Sequence, residues 1–227
     1  MRAKARSIEE IIEEQVQRWK ITRTEEKKKD ERISVITISR EAGSGGNILA
    51  KQLSDQLEFD LFYQEFIHNM AESARLSVRL IETLDEKGAS VLEEWISSIV
   101  DKRHLWPDRY LQHLMKIIGT IGKHGQAIIV GRGANFVLPP EKRLSVRVIA
   151  PLEMRLRNVS QKFSVSVDEA RPRVLKTDSD RKAFIKKYFN DDIRHTLNYD
   201  LIINTGTLSI DDVVNSVSGT LSQLNRA

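Results

Sequence analysis

The chain has 227 residues, no cysteine, and a net charge of +4 from 36 Lys/Arg against 32 Asp/Glu. That length supports a full hydrophobic core without covalent staples. The missing thiols exclude a disulfide framework, a thiolate zinc site and a cysteine nucleophile. The mild positive charge suits an anionic ligand without identifying one.

The first 32 residues stand apart, holding ten Lys/Arg and eight Asp/Glu. Ile8, Ile11, Ile12, Val16 and Trp19 recur at helical spacing, and Ser7 with Glu10 reads as a capping box. An amphipathic helix over 7–20 is expected, followed by a charged linker to residue 32. Its apolar stripe is expected to pack on its own domain, with a homodimer contact as the alternative. No secretory h-region follows the start, and no stretch approaches the ~18 apolar residues of a membrane span. A cytoplasmic protein without a membrane partner is expected.

From Ile33 the pattern alternates strand and helix. ISVITIS (33–39) is β-branched, as a buried parallel strand should be. A helix is expected from Asn47 to Leu57, and a short strand at 59–63. Residues 64–124 read as all helical, with Leu111, Leu114, Met115, Ile118 and Ile121 striping the last helix until Gly122 and Gly125 end it. Trp95 and Trp106 are expected in the core.

Strands follow at 127–131, 144–150 and 199–205. Pro151 suits a first helical position. The stretch 152–190 is helical and basic, with Ser166 and Glu169 opening a helix that Pro172 should kink or break. Ser209 and Asp212 cap the last helix. Five strands with helical connections predict an α/β fold: a five-stranded parallel sheet flanked by helices, with an N-terminal helical extension. A domain at 33–227 is expected behind the extension.

The stretch ITISREAGSGGNILAK (36–51) is strand, glycine-rich turn, helix. Backbone N–H groups at such a junction converge on one point, and the helix dipole favours an anion there. The dinucleotide pattern G-x-G-x-x-G fits Gly43 and Gly45 but meets Ile48 at its third glycine. The P-loop pattern fits with Gly45 as its second glycine. Arg40 then stands at the first glycine, Gly46 at the lysine and Asn47 at the hydroxyl residue. A plain tight turn is the alternative.

ITISREAGSGG, LFYQEFI, IIVGRGANFVL, VIAPLEMRLRNV, TDSDRKAFIKKYFN and YDLIINTGTLSIDDVV occur in order across about 33–215. Together they resemble the cytidylate kinase-like family of P-loop nucleoside monophosphate kinases. The kinase-like branch carries S-R-x-x-G-S-G-G in place of the lysine loop, and Ser39, Arg40, Gly43, Ser44, Gly45 and Gly46 reproduce it. Asn47 and Gln64 stand where many members have Arg and Asp.

The resemblance implies ATP held by Arg40, Gly43, Ser44, Gly45, Gly46 and Asn47, and a small-molecule nucleotide acceptor across the strand ends. It places Arg132 on the acceptor phosphate, and Arg173 and Arg181, with Arg171 nearby, in a lid over about 160–190. The helices at 64–124 become the acceptor side. Magnesium is expected with ATP, though Ser44 and Asn47 are poor substitutes for its usual hydroxyl ligand.

Three functions follow: γ-phosphoryl transfer from ATP to an acceptor such as CMP, a nucleotide sensor without turnover, or a kinase of a non-nucleotide molecule. The five histidines lack metal spacing, no G-x-S-x-G elbow occurs, and no nucleic-acid reader motif is present. Lys51 is expected to face solvent. Arg40 could instead pair with Glu41, Asp200 could be a structural cap, and Asn204 could begin a base-binding turn.

Overall fold

The computed structural model describes residues 8–22 and 33–226. In chain order they form α1 (Ile8–Thr22), β1 (Val35–Arg40), α2 (Gly46–Leu57), β2 (Asp60–Phe62), α3 (Gln64–Glu72), α4 (Ala74–Ile81), α5 (Glu86–Arg103) and α6 (Arg109–His124). Then come β3 (Ala127–Val130), α7 (Ala134–Val137), β4 (Arg143–Ile149), α8 (Leu152–Phe163), α9 (Val167–Phe189), β5 (Leu201–Asn204) and α10 (Ile210–Leu224). The Ser7 cap and the charged run at 23–32 lie outside the described residues.

The five strands form one parallel sheet in the order β2-β3-β1-β4-β5. Consecutive strands joined through helices must cross over, so both faces of the sheet are covered. Ile36 and Ile38 point to the face packed by Leu49 and Leu53 of α2 and by Val213 and Val217 of α10. Val35 points to the opposite face, where α1 and α3 to α7 assemble. Leu114, Met115, Ile117 and Ile118 of α6 are fully buried there. Each such side chain contributes roughly 1.5–3 kcal/mol through removal from water.

α1 joins this second core through Ile12, Val16 and Trp19. Trp19 stacks on His124 with ring centroids 4.1 Å apart. Gln15 and Arg18 hydrogen-bond Asp60 at the start of β2. These three apolar residues of the α1 stripe are therefore turned inward, which withdraws them from the homodimer contact held as the alternative.

Four local expectations are corrected. α6 continues through Gly122 to His124, and only Gly125, at φ +71°, ends it. Trp106 is 94% exposed just before Pro107, not in the core. α9 runs unbroken through Pro172. The carbonyl deprived of a partner there belongs to Asp168, one residue inside the exposed N-terminus of the helix, where solvent can serve it. Pro151 stands one residue earlier than expected, as the cap preceding Leu152. The Ser166–Glu169 and Ser209–Asp212 capping boxes both form.

Candidate functional site

The carboxyl ends of β1 and β3 deliver the site, as the geometry of open parallel sheets requires. β1 ends at Arg40 and the chain turns through 41–45 into α2. Gly43 and Gly45 both sit at φ +81°, a left-handed conformation that side chains disfavour. Among the described residues, the N–H groups of Gly43, Gly45, Gly46 and Asn47 donate to nothing. Four free donors at the N-terminus of a twelve-residue helix form an anion nest.

The nest is braced from behind. Asn158 donates to the Gly43 carbonyl at 2.8 Å, and Thr205 Oγ1 to the Ser44 carbonyl at 2.9 Å. Asp178 of α9 accepts from the Ala42 N–H at 2.8 Å and pairs with Arg155, which also reaches Glu41. Glu41 is thereby occupied, and Arg40 makes no ion pair with it.

Arg40 instead runs beneath the loop and is 5% exposed. Its Nε donates to Asn47 Oδ1 at 3.2 Å and its Nη2 to Gln64 Oε1 at 3.0 Å. A Cβ on Gly46 would lie 2.6 Å from the Arg40 Cβ, and one on Gly131 would lie 2.6 Å from its Nη1. Two glycines thus make room for one arginine.

Arg181 of α9 donates through Nη1 to the Arg40 carbonyl at 2.9 Å, while its buried Nε has no partner. Arg132, at φ +53° after β3, lies with Cζ 4.9 Å over the Phe184 ring. Arg147 of β4 donates to Ser39 at 2.9 Å. Among the described residues none of these four guanidiniums has a carboxylate within ion-pair distance. Burial, then the Arg181 charge, push Arg40 down to about 9, with Glu65 opposing and Arg132 adding to the fall. Burial likewise lowers Arg181, against the pull of Asp178 and Glu65. Desolvated, mutually repelling cations stabilise a bound anion more than solvated ones do.

Two cavities open onto this cluster. One, of about 340 Å³, lies between the sheet and α9 and is lined by Thr37, Ser39, Arg132, Asn135, Phe184 and Tyr199 among others. The other, of about 1010 Å³, runs over the glycine loop between α8 and the turn at 205–210. Arg40, Gln64, Thr177 and Arg181 line both.

Arg173 is not brought to the cluster: it is exposed, stands 5.6 Å over the Phe163 ring and lines only the larger cavity. Arg171 pairs with Glu153. Lys51 is exposed and pairs with Asp55. Asp200 accepts from the Ser145 N–H and pairs with Arg143, a structural role, and Asn204 caps the Gly206 N–H. Arg147 escaped the sequence reading. Its signal was a charge inside a fully covered strand, one that Arg143 of the same strand shares.

The described residues hold no cluster of three metal-ligating side chains. Ser44 is 1% exposed with its hydroxyl donating towards the carbonyls of Glu41 and Val148, away from the nest, and the Asn47 amide oxygen accepts from Arg40. These residues do not fit a protein-held magnesium ion. No described helix is long and apolar enough to cross a membrane.

The model of the cytidylate kinase-like family matches residues 35–207. The chain is 24% identical to a cytidylate kinase of Methanocaldococcus jannaschii, over 85% of this chain and 99% of that one. It is 27% identical to a cytidylate kinase of Pyrococcus horikoshii, over 84% and 90%. An uncharacterized protein of Eubacterium ventriosum shares the fold, with a TM-score of 0.59 at 19% identity over 83% of this chain and 98% of that one. With its glycine loop, parallel sheet and arginine-lined clefts, the chain belongs to the cytidylate kinase-like family.

Proposed function

We propose that this protein transfers the γ-phosphoryl group of ATP to a small phosphorylated acceptor such as CMP. The observation that carries the reading is the shared wall of the two cavities, where Arg40 and Arg181 line both. A donor phosphate on the glycine loop and an acceptor phosphate beside Arg132 would meet at those two cations. Transfer breaks the bond between the γ-phosphorus and its bridging oxygen and forms one to an acceptor phosphate oxygen. ADP and the acceptor diphosphate result. An ionised phosphate needs no general base, so positioning and charge do the work.

In this reading the free N–H groups of Gly43, Gly45, Gly46 and Asn47 hold the donor phosphates. Arg40 takes the part of the missing loop lysine. Arg132 grips the acceptor, and Arg181 faces the group in flight. Arg173 closes over the donor side. Magnesium, if it enters, comes with the nucleotide.

The occupied Ser44 and Asn47 side chains favour a second reading, a nucleotide sensor without turnover. ATP consumption against CMP, dCMP and UMP, with ATP alone as blank, separates the two. Acceptor-dependent ADP formation that vanishes in Arg132→Ala supports the kinase. ATP binding without turnover for any acceptor supports the sensor. Neither binding nor turnover overturns both.

A further inference from the structure

The central strands carry polar residues where a covered parallel sheet is ordinarily apolar. Thr37 pairs with Ser145 across β1 and β4, and Ser39 with Arg147. Alternation places all four on the sheet face beneath α9. Ser39 accepts from Arg147 and from Tyr199, whose hydroxyl also contacts the Ile193 carbonyl. Ser145 donates to the Asn198 carbonyl. Thr37 is the exception. It is 2% exposed, and its Oγ1 has no hydrogen-bond partner.

Leaving a buried hydroxyl unpaired costs about 1–3 kcal/mol. Valine would fill the same space without that cost. Thr37 lines the 340 Å³ cavity, the same space that Arg132 and Arg181 line, and the Arg181 Nε there is also unpartnered. The walls of one cavity therefore hold three cations, Arg40, Arg132 and Arg181, one carboxylate, Asp180, and, in β1, Thr37, whose buried hydroxyl has its bonding capacity unspent.

We infer that Thr37 Oγ1 is a specificity-determining contact that hydrogen-bonds the non-phosphate part of the acceptor while the arginines hold its phosphate. The inference rests on the acceptor reading of this cavity. The ligand it selects is an anionic phosphate compound bearing a hydrogen-bonding group away from the phosphate. A bare phosphate would engage only the arginines.

The test compares wild type, Thr37→Val and Thr37→Ser in turnover and in thermal stabilisation by CMP and by inorganic phosphate. Thr37→Val is expected to raise the KM for CMP about tenfold with little change in kcat, the pattern of a lost binding contact. The KM for ATP and the stabilisation by phosphate stay at wild-type values. Thr37→Ser restores CMP binding, and Thr37→Val without ligand melts no lower than wild type. Wild-type CMP stabilisation retained in Thr37→Val overturns the inference and leaves the kinase reading standing. A Thr37→Val protein that melts lower without ligand, rescued by serine, assigns the hydroxyl to the fold and also overturns it. If CMP, dCMP and UMP neither stabilise nor react with the wild type, the acceptor reading falls and this inference falls with it.

Discussion

Arg40 and Gly46 share one volume: a Cβ on Gly46 would come within 2.6 Å of the Arg40 Cβ and 3.1 Å of its Cγ. A side chain at the loop's lysine position and the arginine at the end of β1 therefore exclude each other. The guanidinium approaches the nest from beneath, held by Asn47 and Gln64.

Gly46→Lys is accordingly expected to damage the loop, although it restores the lysine of the P-loop motif. Overpacking of this kind costs about 1–3 kcal/mol. Thermal melts should show the loss, and calorimetry should show weaker ATP binding. Tighter binding in Gly46→Lys would mean that Arg40 is dispensable.

ATP affinity should fall as pH rises through about 9, where Arg40 loses its charge. Arg40→Gln should bind ATP more weakly at neutral pH and lack this inflection. The stability sign is opposite. Between about 9 and the ordinary 12.5 the folded protein holds fewer protons at this group than the unfolded chain, so its contribution to stability rises with pH. Below that window the buried charge is a full cost. Isothermal titration from pH 7 to 10 reads the first effect, and urea melts over the same range read the second.

Arg181 and Arg173 should differ sharply. Arg181→Met removes a half-buried cation that lines both cavities, and kcat should fall about 10²–10³-fold, as when a preorganised donor is lost. Arg173 is exposed, and its screened charge predicts a change under about tenfold in Arg173→Ala. Steady-state kinetics with ATP and CMP decides; equal losses would place the transferring group nearer α8.

Trp19→Ala should destabilise by about 3 kcal/mol, the cost of truncating a buried aromatic. Trp19 is 6% exposed against His124 and Phe62 and lines neither cavity at the glycine loop. Urea melts should shift while ATP affinity holds. An unchanged melt would show that α1 adds nothing to the fold.

The order of strands and helices was legible because hydrophobic periodicity is local. β1 and α2 lie within a few residues of their expected bounds, and α10 starts at its expected Ser209 cap, since neighbouring residues alone decide which face is apolar. The glycine loop was legible for a similar reason, a short run between a strand and a helix. Arg143 and Arg147 show where such reading stops. Both are charges in one buried strand, yet Arg143 pairs with Asp200 while Arg147 reaches Ser39 beneath a cavity. Nothing in RLSVRVI distinguishes them, because their partners come from elsewhere in the chain.

The sequence by itself determined an alternating α/β chain with a glycine-rich turn between strand and helix and with Arg40 and Arg132 at strand ends. Only the tertiary structure decided which arginines converge, that Arg40 occupies the space beside Gly46, and that Thr37 is left unpaired. Element identity follows from contacts a few residues apart. The chemistry of this cleft comes from β1, β3, β4 and α9, which only the packed sheet and its covering helix bring into one volume.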